Sequence, residues 1–139
     1  MFDLLKISFG AKASIAALAT GLAAIAFFGA DAFRSSHTKS TVAAVMTGGN
    51  ADRAPPIFRK YGCAGCHTIP GIPGADGQTG APLMHLSKRV YIAGVLENRP
   101  DNLVAWIVSP QALSPQTAMP NTGIKVEEAR DLAAYLYAR

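Results

Sequence analysis

Charge is scarce in this chain and unevenly spread. Asp, Glu, Lys and Arg make up 16% of its 139 residues, and none falls between Ala13 and Ala30. No run or stripe of Lys and Arg occurs, which excludes a nucleic-acid footprint. From Ser40 onward nine Lys or Arg stand against seven Asp or Glu, so that part carries only about +2 and bulk charge names no partner. No segment alternates apolar and polar residues convincingly enough for a strand, and no acid–base pair or open substrate site stands out. Histidine is limited to three residues and cysteine to two.

Those two cysteines fall together in Tyr61-Gly62-Cys63-Ala64-Gly65-Cys66-His67. The C-x-x-C-H spacing reads as a c-type haem attachment site. Two thiols that add to the vinyl groups on one edge of a porphyrin must sit about one helical turn apart. The next residue then lies under the iron and offers an imidazole nitrogen as axial ligand. Other readings of the pair are weaker. A thioredoxin-like redox pair wants a preceding strand and a βαβ context, whereas the residues before Cys63 look helical. A zinc site needs further ligands at close spacing, and only His37 and His85 remain, both distant. A simple disulfide across two residues would be an unusual clip.

The uncharged run Ala13–Ala30 is eighteen residues of mostly Ala, Leu, Ile, Gly and Phe. As helix it spans roughly 27 Å, enough to cross a bilayer core. Lys6 and Lys12 precede it, and Ala30-Asp31-Ala32 resembles a small-residue cleavage site. The run exceeds the usual apolar core of a secretory signal, which favours an uncleaved anchor over residues 1–33. Both readings carry the rest of the chain across the membrane, and the basic flank places the C-terminal domain on the periplasmic, non-cytoplasmic side. A buried core helix is the remaining reading, and the N-terminal position argues against it. Residues 34–50 are polar and small with a Gly-Gly pair, the pattern of a flexible linker with an r.m.s. reach of roughly 20–25 Å.

Residues 51–139 read as one all-α domain with long loops. Asp52 is a candidate N-cap, and Pro55 and Pro56 suit the first turn of a short helix ending near Tyr61. Thr68–Pro82 is a Gly- and Pro-rich loop, long enough to wrap a haem edge. Leu103, Trp106 and Ile107 mark a helix begun by Asn98 or Asp101 and stopped at Ser109-Pro110. Gln111–Gly123 is loop again. Val126–Tyr137 is an amphipathic helix with Val126, Ala129, Leu132, Ala133 and Leu136 on one face and Glu127 and Glu128 at its positive end.

An iron held by His67 has a second face. Met46, Met84, Met119, His37 and His85 are the candidates for it. Met119 leads because Pro115 and Pro120 bracket it in a loop between two helices, far from His67 in sequence; without the haem motif, a packed core methionine would be the default reading.

The segment from about Ala51 to Ala138 resembles a class I cytochrome c. The resemblance rests on Cys63-Ala64-Gly65-Cys66-His67, Leu103-x-x-Trp106-x-x-x-Pro110, Pro115-x-Thr117-x-Met119, Gly123-Ile124 and Asp131-Leu132-x-x-Tyr135-Leu136. Gly62–Ile69, Leu83–Arg89 and Leu103–Ile107 are most similar to the cytochrome domain fused to subunit II of some terminal oxidases, although no copper-site motif is present. The resemblance implies one covalent haem c, thioether-bonded to Cys63 and Cys66 and ligated by His67 and Met119. It also implies that Arg89 and Trp106 line the haem and that Tyr135 packs the terminal helix against the helix before the motif. Relatives place Gly-Pro-x-Leu after the loop, where the proline carbonyl orients the histidine. Here the order is Gly80-Ala81-Pro82-Leu83, so Ala81 or Pro82 supplies that carbonyl.

The function so implied is that of a membrane-tethered one-electron carrier, not an enzyme by itself. Its partners would be a quinol-oxidising complex, a dehydrogenase or a terminal oxidase, met either as a shuttle or as a fixed subunit. The alternative is a haem enzyme or gas sensor whose sixth ligand leaves.

Overall fold

The computed structural model describes residues 3–139, with side chains at Ser14 and from Ala17 onward. It divides into two units, Met1–His37 and Thr38–Arg139. The first helix, α1, runs over Asp3–Thr47. Among the described residues of the first unit its large apolar side chains are exposed, Leu22 at 64% and Ile25 at 71%. By length and composition Ala17–Thr47 is a candidate membrane span with no buried residue in its most apolar window. A helix this apolar all round suits lipid better than water.

The stretch expected to be a flexible linker is helical as far as Thr47. Nothing between Phe33 and Met46 breaks a helix, and alanines favour one. Gly48 ends it: at φ 67 its N–H reaches the Ala44 carbonyl at 2.8 Å, a left-handed C-terminal cap. Within the second unit these last turns pack firmly. Ala43 and Thr47 are 2% exposed, and Arg130 Nη1 donates to the Thr47 carbonyl at 2.9 Å. Gly49 crosses the final helix so closely that a Cβ there would lie 2.1 Å from the Arg130 carbonyl oxygen.

A 3-10 turn, Ala51–Arg53, leads into α2, Ala54–Lys60, which opens with the expected prolines. Asp52 does not cap α2, whose first position follows Arg53 without a side-chain cap. Asn50 caps the 3-10 turn instead, its side chain accepting the Asp52 N–H at 2.9 Å while its own N–H donates to Asp131 Oδ1 at 2.7 Å. Gly62, left-handed at φ 68, turns the chain into α3, Cys63–Cys66. The Gly- and Pro-rich loop that follows is anchored. Thr68 and Asp76 form a β-bridge, and Ile69, Ile72 and Ala75 are buried. A 3-10 turn at Leu86–Lys88 precedes two short strands, β1 (Tyr91–Ile92) and β2 (Leu96–Glu97), paired antiparallel. The sequence reading had no strand here, because two residues per strand are too few to show alternation. Ala93 and Gly94 both have positive φ, 50 and 76, and Val95 N–H closes on the Ile92 carbonyl at 3.0 Å, as in a type I′ hairpin turn.

Helix α4, Pro100–Val108, begins with Pro100, and neither Asn98 nor Asp101 caps it. A single further turn, α5 (Pro110–Leu113), interrupts the stretch read as loop. The last helix, α6, covers Val126–Tyr137 as the periodicity implied, although Val126 is 43% exposed. It packs on α2 and α4. Ala129 and Ala133, fully buried, allow close approach. The Phe58 ring meets Tyr135 edge-on at 5.4 Å. The result is a mostly helical domain preceded by a long apolar helix.

Candidate haem site

Helices α2, α4 and α6 and the loops between them enclose a cavity of about 300 Å³ with a mainly apolar lining. Phe58, Leu86, Ile92, Leu103, Leu132 and Leu136 supply much of that lining. Cys63, Cys66, His67, Arg89, Trp106 and Met119 all line it too. Pro82, expected among them, does not, while its neighbours Ala81 and Leu83 do. Of the five candidates for an iron's second face, only Met119 lines the cavity; Met46 and Met84 are 51% and 41% exposed.

Both cysteines are free thiols on one turn of helix. Burial pushes the Cys63 thiol up from its ordinary value, which keeps it protonated and neutral in an apolar wall. His67 leaves the helix in an extended conformation. Its Nδ1–H donates to the Ala81 carbonyl at 2.7 Å, and this tautomer keeps the lone pair on Nε2 for a metal. The displaced proline motif is thereby resolved: the Ala81 carbonyl orients His67, and the Pro82 carbonyl accepts from Arg89 Nη2, which also donates to Met84 O at 3.2 Å. Gly80 explains why the loop can lie against the ring. Its N–H donates to Cys66 O at 2.7 Å, and a Cβ there would stand 2.4 Å from His67 Cε1.

The Met119 loop is fixed from both sides. Met119 N–H reaches Thr117 Oγ1 at 3.3 Å, and Gln111 Nε2 on α5 donates to the Met119 carbonyl at 2.9 Å. Sequence reasoning missed Gln111, because α5 itself was unforeseen. It also missed Asn98, whose Nδ2 donates to the carbonyls of Leu86 and Arg89, each at 2.7 Å. A lone Asn before Arg-Pro signals a helix start, and nothing in the sequence marks it as a clamp.

This donor set fits a c-type haem: two thiols, an oriented imidazole and a thioether open onto one apolar space. A redox helix pair on a parallel sheet does not describe it, since α2 precedes the cysteines and the described strands form only a two-stranded antiparallel hairpin.

The cytochrome c family profile matches residues 51–138. The chain belongs to the cytochrome c family. Three cytochrome c oxidase subunit 2 proteins are among its relatives. The one from Alkalihalophilus pseudofirmus is 36% identical over 87 residues, 62% of this chain and 25% of that protein. The Bacillus subtilis protein is 29% identical over 64% of this chain and 26% of its own length. That of Bacillus sp. (strain PS3) is 34% identical over 66% and 27%. The chain thus spans about a quarter of the length of these curated relatives. No solved structure matches it. As a cytochrome c domain it is an electron-transfer haem protein, and the family's cofactor is haem c with its iron.

Proposed function

We propose that the chain is a membrane-tethered monohaem cytochrome that carries single electrons at the non-cytoplasmic face of a membrane, in contact with a terminal oxidase. The observation that carries this reading is the convergence of Cys63, Cys66, His67 and Met119 on one apolar cavity. The cofactor, when bound, supplies an iron that cycles between ferrous and ferric states. The chain's own part is to hold it still. Cys63 and Cys66 would hold it covalently through thioethers. His67, its ring fixed by the Ala81 carbonyl, would offer Nε2 to the iron. Met119, its backbone fixed by Gln111 and Thr117, would offer its sulfur. Two rigid ligands leave little to rearrange on electron transfer. The thioether and the apolar wall both favour the ferrous form and raise the potential. Arg89 and Trp106 complete the lining.

The apolar α1 supports the tether, and kinship with oxidase subunits supports the choice of acceptor. The haem enzyme or gas-sensor alternative requires Met119 to leave. Replacement of Met119 by Ala is expected to lower the reduction potential strongly while the haem stays attached through acid–acetone extraction. The wild-type ferric protein is expected to resist cyanide at neutral pH. An unchanged potential in the variant, or fast cyanide binding by the wild type, overturns the ligand assignment.

A further inference from the structure

The mouth of the cavity has an unusual electrostatic character. Seven residues both line the cavity and are exposed around it: Gly62, Cys66, Thr79, Ala81, Ala93, Ala118 and Pro120. All are small or neutral. The two segments that supply all of them but Ala93 extend this property. From Ser109 to Ile124 there is no Asp, Glu, Lys or Arg, and from Gly62 to Ser87 there is only Asp76. Among all the lining residues Arg89 alone carries a fixed charge, and its guanidinium is engaged with the Pro82 and Met84 carbonyls. The Lys60–Glu128 pair between α2 and α6 rests on the lining residue Tyr61, but its two charges answer each other, and the Arg53–Asp131 pair ties α6 to the turn before α2.

Building on the carrier role proposed above, we infer that electrons pass through this uncharged mouth to the uncharged, apolar face of a partner protein, without guidance by ion pairs. Electron transfer decays steeply with distance, so a partner must meet the cavity where its lining is exposed. A partner with a charged face would desolvate its ions there against Ala118, Pro120 and Thr79, none of which can pair with them, and that is unfavourable. A neutral face avoids that cost, and side chains no larger than threonine or proline let it come close. Association through such a surface lacks electrostatic steering, and its rate is insensitive to salt.

The test uses the full-length holoprotein in detergent and two small reagents of opposite sign, hexacyanoferrate, an anion, and hexaammineruthenium, a cation. Stopped-flow rates of haem oxidation and reduction are measured from about 10 mM to about 500 mM ionic strength, a range that moves the screening length from tens of ångströms to a few. The rates are expected to change by less than about threefold for both reagents. A larger change with either reagent overturns the inference. Ala118→Glu is expected to make exchange with hexacyanoferrate slower and dependent on salt. Ala105→Glu, at an exposed α4 residue outside the lining, is expected to leave it flat. Equal behaviour of the two variants shows that electrons do not leave through the mouth. Loss of reversible cycling in the wild type would instead strike at the carrier role itself, and an equilibrium redox titration reports that separately.

Discussion

Asn98 uses its whole amide on groups around the cavity. Its two donor bonds hold the Leu86 and Arg89 carbonyls, and its oxygen accepts from Tyr137 Oη at 2.7 Å. One side chain thus ties the 3-10 turn, the start of the hairpin and the last turn of α6 together. Asn98→Ala leaves two carbonyls and a hydroxyl without these partners, so it is expected to destabilise the holoprotein by about 2–4 kcal/mol in urea unfolding. A loss no greater than that of an ordinary surface substitution would contradict the clamp. Burial raises the Tyr137 hydroxyl to about 12. A raised phenol gives its full contribution below the ordinary tyrosine value of about 10 and loses it as pH climbs from there to about 12. Tyr137→Phe should therefore flatten that alkaline loss.

At the scale of elements, α2 and α6 are joined at the surface by a triad. Lys60 Nζ and Tyr61 Oη both donate to Glu128, at 2.7 and 2.6 Å. Hydrogen bonds from Lys60 first and Tyr61 second hold the Glu128 carboxyl below its ordinary value, and the same bond to Glu128 raises Lys60. A depressed carboxyl contributes stability above the unfolded-state value of about 4.3 and loses it as pH falls through the lower folded value. Lys60 behaves in the opposite sense, so the triad works from mildly acidic pH up to the lysine range. Glu128→Gln is expected to lower the urea midpoint at neutral pH and to converge with wild type in acid; parallel curves down to the acid limb would show the triad to be inert. Helix α6 was legible in the sequence because twelve residues repeat their apolar positions three or four apart. So was α4, with its Pro at each end. Helix α5 and the β1–β2 hairpin were not, since one turn or two residues per strand leave no period to read. Among the site residues, Cys63, Cys66 and His67 announce themselves through local spacing. Ala81 could not do so: it acts through a backbone carbonyl, which every residue possesses. The displaced Pro82 narrowed the choice, and only the hydrogen bond to His67 decided it.

At the scale of the whole molecule, the residues read as a loose tether prove to belong partly to the folded domain. Thr38–Asn50 carries the buried Ala43 and Thr47, the close crossing of Gly49 over α6, and the Asn50 amide that satisfies Asp131 beside Arg53. Asp131 is 4% exposed, and a buried carboxylate tolerates the loss of a donor poorly. Two truncations separate membrane attachment from folding. A chain begun at Thr38 lacks the most apolar part of α1 and should leave the membrane while unfolding at the same urea concentration as the full-length protein in detergent. A chain begun at Ala51 should also leave the membrane, yet lose about 1–3 kcal/mol, because Asp131, though still held by Arg53, forfeits the Asn50 N–H, Arg130 forfeits the Thr47 carbonyl and α6 loses its cover. Membrane fractionation reads the first property and urea unfolding of the haem-loaded chains reads the second. Equal stability of the two truncated forms would make Thr38–Asn50 a mere spacer, and retention of both in the membrane would move the anchor out of α1.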